Sequence, residues 1–249
     1  MPQPRETWSL DTAHLGREVL VFDELESTNT TATELSQGFA VVADFQTAGR
    51  GQFGRVWQAR PGSSLLLSVV LKPPPELRRP VILTALAAVS VAEAVFSLTG
   101  VQARIKWPND LLIRGKKVCG ILIESAATTI MGIGLNLTQT AEEFAEVELA
   151  ATSLAIMGYE QVSVRIAATT VLTHLDAEYA RLLAGERVAV EADWKWRVGL
   201  LGRQVAVERT DGTTTSGRLL EMGFDALEVD TVAGLQVIVP ETVRQLRPM

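Results

Sequence analysis

The sequence predicts an α+β protein, with a larger unit of strands and helices over residues 1–198 and a small β-barrel over 199–249. Three observations carry this reading. Apolar runs at 41–43, 65–71, 118–123 and 130–136 are β-branched or leucine-rich and bounded by turn residues, as buried strands are. Two stretches, 79–98 and 162–184, repeat apolar residues at helical spacing. From Leu201 the apolar period changes to two, in short segments at close spacing.

Taken in order, residues 1–17 read as polar and irregular, and a first strand covers 18–22. Ser27 or Thr28 then caps a helix running toward Leu35. After the strand at 65–71, Pro73-Pro74-Pro75 stops the ladder, because proline has no N–H to donate. The helix at 79–98 presents Leu83, Leu86, Val91 and Val95 to a core and ends at Gly100. A strand around 104–106, a Pro108-Asn109-Asp110 turn, a short strand, a hairpin at 114–116 and a strong strand from Lys117 follow. The strand at 130–136 contains Gly132 and Gly134, which leave room for something close to the backbone. Residues 141–158 read as helical and irregular. The helix at 162–184 is followed by a helical segment with Trp194 and Trp196 packed on it. The barrel strands fall at 204–208, 217–220, 226–229 and 236–239.

The chain has 249 residues, 47 % hydrophobic and 21 % charged, enough for a sizeable core. Its net charge of −6 and pI of about 5.1 argue against a general affinity for nucleic acid. The single cysteine, Cys119, forms no disulfide within the chain and fits a cytoplasmic protein. No apolar run is expected to approach the roughly 20 residues that cross a bilayer, so no membrane is expected. His14 and His174 lie far apart, and no cluster has zinc-ligand spacing, so no resident metal is expected. Any Mg²⁺ would arrive with a nucleotide.

The stretch from Gln46 to Trp57 separates two buried strands and contains Gly49, Gly51, Gly54, Arg50 and Arg55. Glycines let backbone N–H groups and guanidinium forks approach an anion, and phosphate or carboxylate is what such loops meet. The plain alternative is a glycine-rich hairpin with solvated arginines. Likewise Ser27, Thr28 and Asn29 serve either as a helix cap or as a polar ligand site.

Six segments together resemble the biotin–protein ligases: Ser27-Thr28-Asn29; Gln46 to Gly51; Gly54 to Trp57; Lys106-Trp107-Pro108-Asn109-Asp110; Lys117 to Glu124; and Gly132 to Asn136. They occur in that family's order. The likeness covers about 18–198 well and the C-terminal barrel more loosely. It implies a mixed sheet flanked by helices, related to class II aminoacyl-tRNA synthetases, and an SH3-like barrel. It also implies a biotin–[acetyl-CoA-carboxylase] ligase that forms biotinyl-5′-AMP from biotin and Mg-ATP, then biotinylates a lysine of a biotin carboxyl carrier domain. A first strand near residue 18 leaves no room for the family's DNA-binding winged helix, so ligase activity without DNA binding is expected. A homodimer through the sheet edge is a further expectation.

By the same resemblance, Arg50 bridges the biotin carboxylate and the α-phosphate, and Lys117 is a second catalytic cation. Lys106 reaches a phosphate or the incoming acyl group. Ser27, Thr28, Asn29 and Gln46 meet the ureido ring, and Gly49, Gly51, Gln52, Gly120, Leu122, Gly132 and Gly134 complete the biotin site. Arg55, Trp57, Asn136 and Arg247 take the adenylate side, Trp57 by stacking. Asp110 is read as a turn former after Pro108, with a metal contact as the alternative. Gln52 departs from the family's usual arginine, and retention of the intermediate turns on it. The rival readings are a lipoate or octanoate ligase of the same fold and a non-catalytic biotin sensor.

Overall fold

The structure is a computed structural model that describes residues 2–126, 128–145 and 150–249. Its first sheet has eight strands: β1 (Glu6–Ser9), β2 (Glu18–Leu25), β3 (Phe39–Gln46), β4 (Ser64–Leu71), β5 (Arg104–Lys106), β6 (Asp110–Ile113), β7 (Lys116–Ser125) and β8 (Thr129–Asn136). Their order across the sheet is β1-β2-β3-β4-β8-β7-β6-β5. Only β2 and β3 pair in parallel, so the sheet is mixed.

Alternation divides the strands between two faces. On β4, β7 and β8 the odd-numbered Leu65, Leu67, Val69, Cys119, Ile121, Met131, Ile133 and Leu135 enter one large core. That core is roofed by α2 (Pro80–Thr99), α3 (Val164–Leu183) and α4 (Arg187–Val198). The opposite face carries Leu66, Ser68, Gly120, Leu122, Glu124, Gly132, Gly134 and Asn136. A smaller apolar cluster with Phe22, Leu25, Val41 and Ala32 covers part of that face, beneath the short helix α1 (Thr28–Ala32).

α2 corrects the expectation that no apolar stretch approaches membrane-spanning length. It has 20 residues with Glu93 as its one charge, but most of it is buried inside the fold. A helix that is apolar on nearly all sides is what a core helix covered by a sheet and two neighbours requires. Gly100, at φ 71°, supplies its left-handed C-cap. α3 starts at Ser163, whose hydroxyl accepts from the Ile166 N–H at 3.3 Å.

Other departures have local causes. Residues 1–17 are not wholly irregular, because β1 adds antiparallel to β2 and buries Trp8. α1 ends at Ala32 rather than near Leu35, and Ser27 occupies its N-cap without a side-chain cap bond. The stretch 141–158 holds short turns at Glu142–Phe144 and Ala155–Met157, while 146–149 lie outside the described residues. On α4, Trp194 is buried against Trp107 and Phe224, but Trp196 is exposed under the Arg104 guanidinium.

Beyond Val198 the chain forms a five-stranded antiparallel sheet of β9 (Gln204–Arg209), β10 (Thr214–Met222), β11 (Leu227–Thr231), β12 (Gly234–Ile238) and β13 (Val243–Pro248). β13 is a strand the sequence reading did not anticipate. It pairs with β9, so the C-terminal end of the chain is an edge of this sheet. The sheet is fastened to the larger unit at several points. Trp107 Nε1 donates to the Val243 carbonyl at 3.1 Å, and Trp107, Trp194 and Phe224 pack in series. Arg79, the N-cap residue of α2, forks onto Glu241 and also reaches Asp225. These ties bring β13 to the site described next.

Candidate functional site

On the sheet face away from α2, α3 and α4 lies a cavity of about 640 Å³, within the range of small-molecule sites. Its floor is cut by the register. Ser68 and Leu122 both pair with Gly132, and Leu66 and Gly120 both pair with Gly134, so each of two rows across the sheet is notched by glycine. The glycines are required sterically. A Cβ on Gly134 would stand 2.6 Å from the Trp57 indole, and one on Gly132 would stand 2.4 Å from Asn29 Oδ1. Trp57 therefore lies on the floor, with Lys117 Nζ 5.6 Å from its ring centre.

One end of the cavity is polar and largely buried. Ser27, Thr28 and Asn29 lie at the start of α1. The Thr28 N–H and hydroxyl meet Gln46 Oε1 at 2.7 and 2.9 Å. Ser68 Oγ stands 2.7 Å from Thr28 Oγ1 and 2.5 Å from Asn29 Oδ1. Such a cluster recognises a compact head that both donates and accepts hydrogen bonds.

Of the cations that line the rest of the cavity, Arg50 and Lys117 are each held by a carboxylate. Arg50 Nη2 lies 3.0 Å from Glu124 Oε2, while its Nη1 donates to Thr30 Oγ1 at 3.1 Å. Lys117 Nζ lies 2.5 Å from the buried Asp110 Oδ1. Asp110 is thus the first residue of β6 and the counter-ion of Lys117, not merely a turn former. Two fixed cations beside a polar recess can bring two anionic groups together and stabilise charge as they react. The only cysteine is no nucleophile here, because burial pushes the Cys119 thiol well above its ordinary range.

Most residues selected from the sequence meet in this cavity. Ser27, Thr28, Asn29, Gln46, Arg50, Gly51, Gln52, Arg55, Trp57, Lys106, Lys117, Gly120, Leu122, Gly132, Gly134 and Asn136 all line it. Two do not. Gly49 is buried behind the wall, its missing Cβ leaving room for the Trp57 carbonyl. Arg247 is exposed on β13, and it is Gln245 of that strand that reaches the cavity. Gln52 is half-buried, with an Oε1 that has no partner, rather than pointing into solvent. Asn136 is nearly saturated by the protein itself, donating to the Thr152 carbonyl and accepting from Gln139 Nε2.

Sequence reasoning passed over Ser68, Glu124 and Gln245 as site residues. Ser68 left a signal, since it is the single polar residue between Leu65 and Leu71. Glu124 and Gln245 left none, because their roles depend on which strands lie alongside.

Comparison with known proteins fits this geometry. Residues 21–136 match the model of the biotin/lipoate A/B protein ligase family. The biotin–[acetyl-CoA-carboxylase] ligase of Mycobacterium tuberculosis is 34 % identical over 188 residues, covering 72 % of this chain and 68 % of its own length. The chain belongs to the biotin protein ligase family. Its fold is that of the family's catalytic unit: the biotin protein ligase from Aquifex aeolicus in complex with biotin and ATP superposes with a TM-score of 0.78 at 27 % identity, covering 93 % of this chain and 99 % of that one. The bifunctional ligase/repressor BirA of Bacillus subtilis is 41 % identical over 167 residues, or 62 % of this chain. The chain spans about half, 51 %, of the length of that relative and of its Bacillus spizizenii counterpart.

Proposed function

We propose that the chain is an ATP-dependent biotin–protein ligase. The observation that carries this reading is the convergence of Arg50 and Lys117 on one cavity whose far end is the Thr28, Asn29 and Gln46 cluster. Biotin fits that arrangement chemically. Its ureido ring has N–H donors and a carbonyl acceptor for the polar recess, its bicycle and chain suit the apolar floor that glycines open, and its carboxylate reaches the cations.

In the first step a carboxylate oxygen of biotin attacks the α-phosphorus of ATP. The bond to the bridging oxygen breaks, and pyrophosphate leaves with the electron pair. Two anions approach each other in this step, so fixed cations lower the barrier without reorganising. Arg50 bridges carboxylate and phosphate with its planar fork, and Lys117 acts as a compact charge on the same junction. Asp110 and Glu124 are already paired with these cations. Mg²⁺ therefore enters as part of the Mg-ATP substrate, with oxygen ligands drawn mainly from the phosphates. Lys106, Arg55 and Trp57 take the nucleotide side. In the second step a lysine amine of a biotin carboxyl carrier domain attacks the mixed anhydride carbonyl. AMP leaves, an amide forms, and no protein nucleophile is needed. A cytoplasmic setting belongs to the same reading.

Biotin-dependent exchange of pyrophosphate into ATP tests the first step, with lipoate and octanoate as competing substrates. Exchange with biotin, followed by labelling of a carrier domain, is expected. Exchange with lipoate or octanoate alone would overturn the assignment, as would biotin binding without any exchange.

A further inference from the structure

Glu124 lies on the cavity face of β7, two residues beyond Leu122. Its carboxylate receives Asn29 Nδ2 at 2.6 Å and Arg50 Nη2 at 3.0 Å, with a second approach from Arg50 at 3.2 Å. Arg50 comes from the glycine-rich loop and Asn29 from α1, so one side chain ties together two segments that also meet where Arg50 Nη1 donates to Thr30 Oγ1 at 3.1 Å.

An ionised carboxylate only accepts, so Asn29 must present its NH₂ to Glu124 and its oxygen to Ser68. Ser68 then spends its single proton on Asn29. The Thr28 hydroxyl has one proton for two neighbours, Ser68 Oγ at 2.7 Å and Gln46 Oε1 at 2.9 Å. Gln46 Oε1 accepts from the Thr28 backbone N–H at 2.7 Å in either case. The charge on Glu124 thus sets the direction of the Glu124–Asn29 and Asn29–Ser68 hydrogen bonds. Turning the Asn29 amide over would set its oxygen against the Glu124 carboxylate, two acceptors face to face.

Resting on the ligase reading above, we propose that Glu124 is a positioning residue that couples the donor–acceptor pattern of the polar recess to the placement of the Arg50 guanidinium. It touches no reacting atom. It acts through Arg50 on the rate and through Asn29 and Ser68 on binding of the polar head.

Glu124→Gln tests this in the 249-residue chain, because the isosteric amide can donate and so frees the Asn29 amide to turn over. Deleting a hydrogen bond to a charged group typically costs about ten- to a hundredfold. Biotin-dependent exchange is expected to fall by that factor, and biotin affinity by calorimetry to fall with it. In an Arg50→Ala background the same change is expected to add little further loss of rate, which a merely structural role would not produce. Full additivity of the two substitutions, or exchange within twofold of the unsubstituted protein, would overturn the proposal. If Glu124→Gln melts early, Ser68→Ala reads the relay from its buried end. It should weaken biotin binding while leaving the Arg50→Ala rate penalty intact, and unchanged binding would count against the relay. A lack of exchange in the unsubstituted protein would refute the ligase reading instead, and biotin calorimetry on these variants would still test the relay.

Discussion

Gly132→Ala places a methyl group where the structure has none to spare. The added Cβ would stand 2.4 Å from Asn29 Oδ1 and 3.1 Å from its Cγ. Ordinary contact begins near 3.4 Å, so the amide must retreat by about 1 Å, the difference 3.4 − 2.4. It cannot do so freely, because Ser68 at 2.5 Å and Glu124 at 2.6 Å hold its two ends. A shift of that size stretches at least one of these bonds past hydrogen-bonding length. Losing a buried neutral bond costs about 1–3 kcal/mol, and the bond to ionised Glu124 is at the upper end of that range. About 2–4 kcal/mol in total corresponds to roughly one and a half to three decades in affinity. Isothermal calorimetry with biotin measures it directly. Gly51→Ala is the control within the same site, since its Cβ would meet Arg55 at an ordinary 3.5 Å. Biotin affinity for Gly132→Ala within about threefold of the control would refute the claim that Asn29 is fixed from both sides.

Three further outcomes follow from the same geometry. Arg50→Ala and Lys117→Ala should each slow biotin-dependent exchange by about 10²–10³ while weakening biotin binding far less, as loss of a preorganised charge contact does. Single-turnover kinetics beside calorimetry separate the two effects, and a variant with normal exchange loses its catalytic assignment. Gln52→Arg should slow escape of biotinyl-AMP by about one to two decades, because a guanidinium supplies a charge-assisted bond that the unpartnered Gln52 Oε1 cannot; equal stopped-flow dissociation rates would make the position silent. Trp107→Phe removes the donor to the Val243 carbonyl and part of a buried ring, costing about 1–3 kcal/mol. At about 2–4 °C per kcal/mol for a chain of this size, melting should drop by several degrees, and an unchanged transition would show that this tie does not hold the second sheet.

Much of the fold is legible in the sequence because its signals are local. The helical spacing of Leu83, Leu86, Val91 and Val95, with Gly100 after it, specifies a core helix and its end. The change to period two after Leu201 specifies a separate small sheet of antiparallel strands. The glycines at 132 and 134 inside an apolar strand already announce a close neighbour. Sequence also selected most of the residues that line the cavity, since Arg50, Lys117, Thr28 and Asn29 belong to segments whose chemistry is unusual where it stands.

What the sequence did not carry is which charge meets which. Glu124 lies 74 residues from Arg50 and 95 from Asn29, and only the stacking of β4, β8 and β7 in that order brings the three together. The same sheet register turns Asp110 from a turn former into the counter-ion of Lys117, and the packing of Trp107 and Trp194 against the second sheet brings Gln245 rather than Arg247 to the cavity. Periodicity is a property of a few consecutive residues and can be read along the chain. An ion pair or a hydrogen-bond direction is a property of the space between strands, and that space exists only once the sheet has formed.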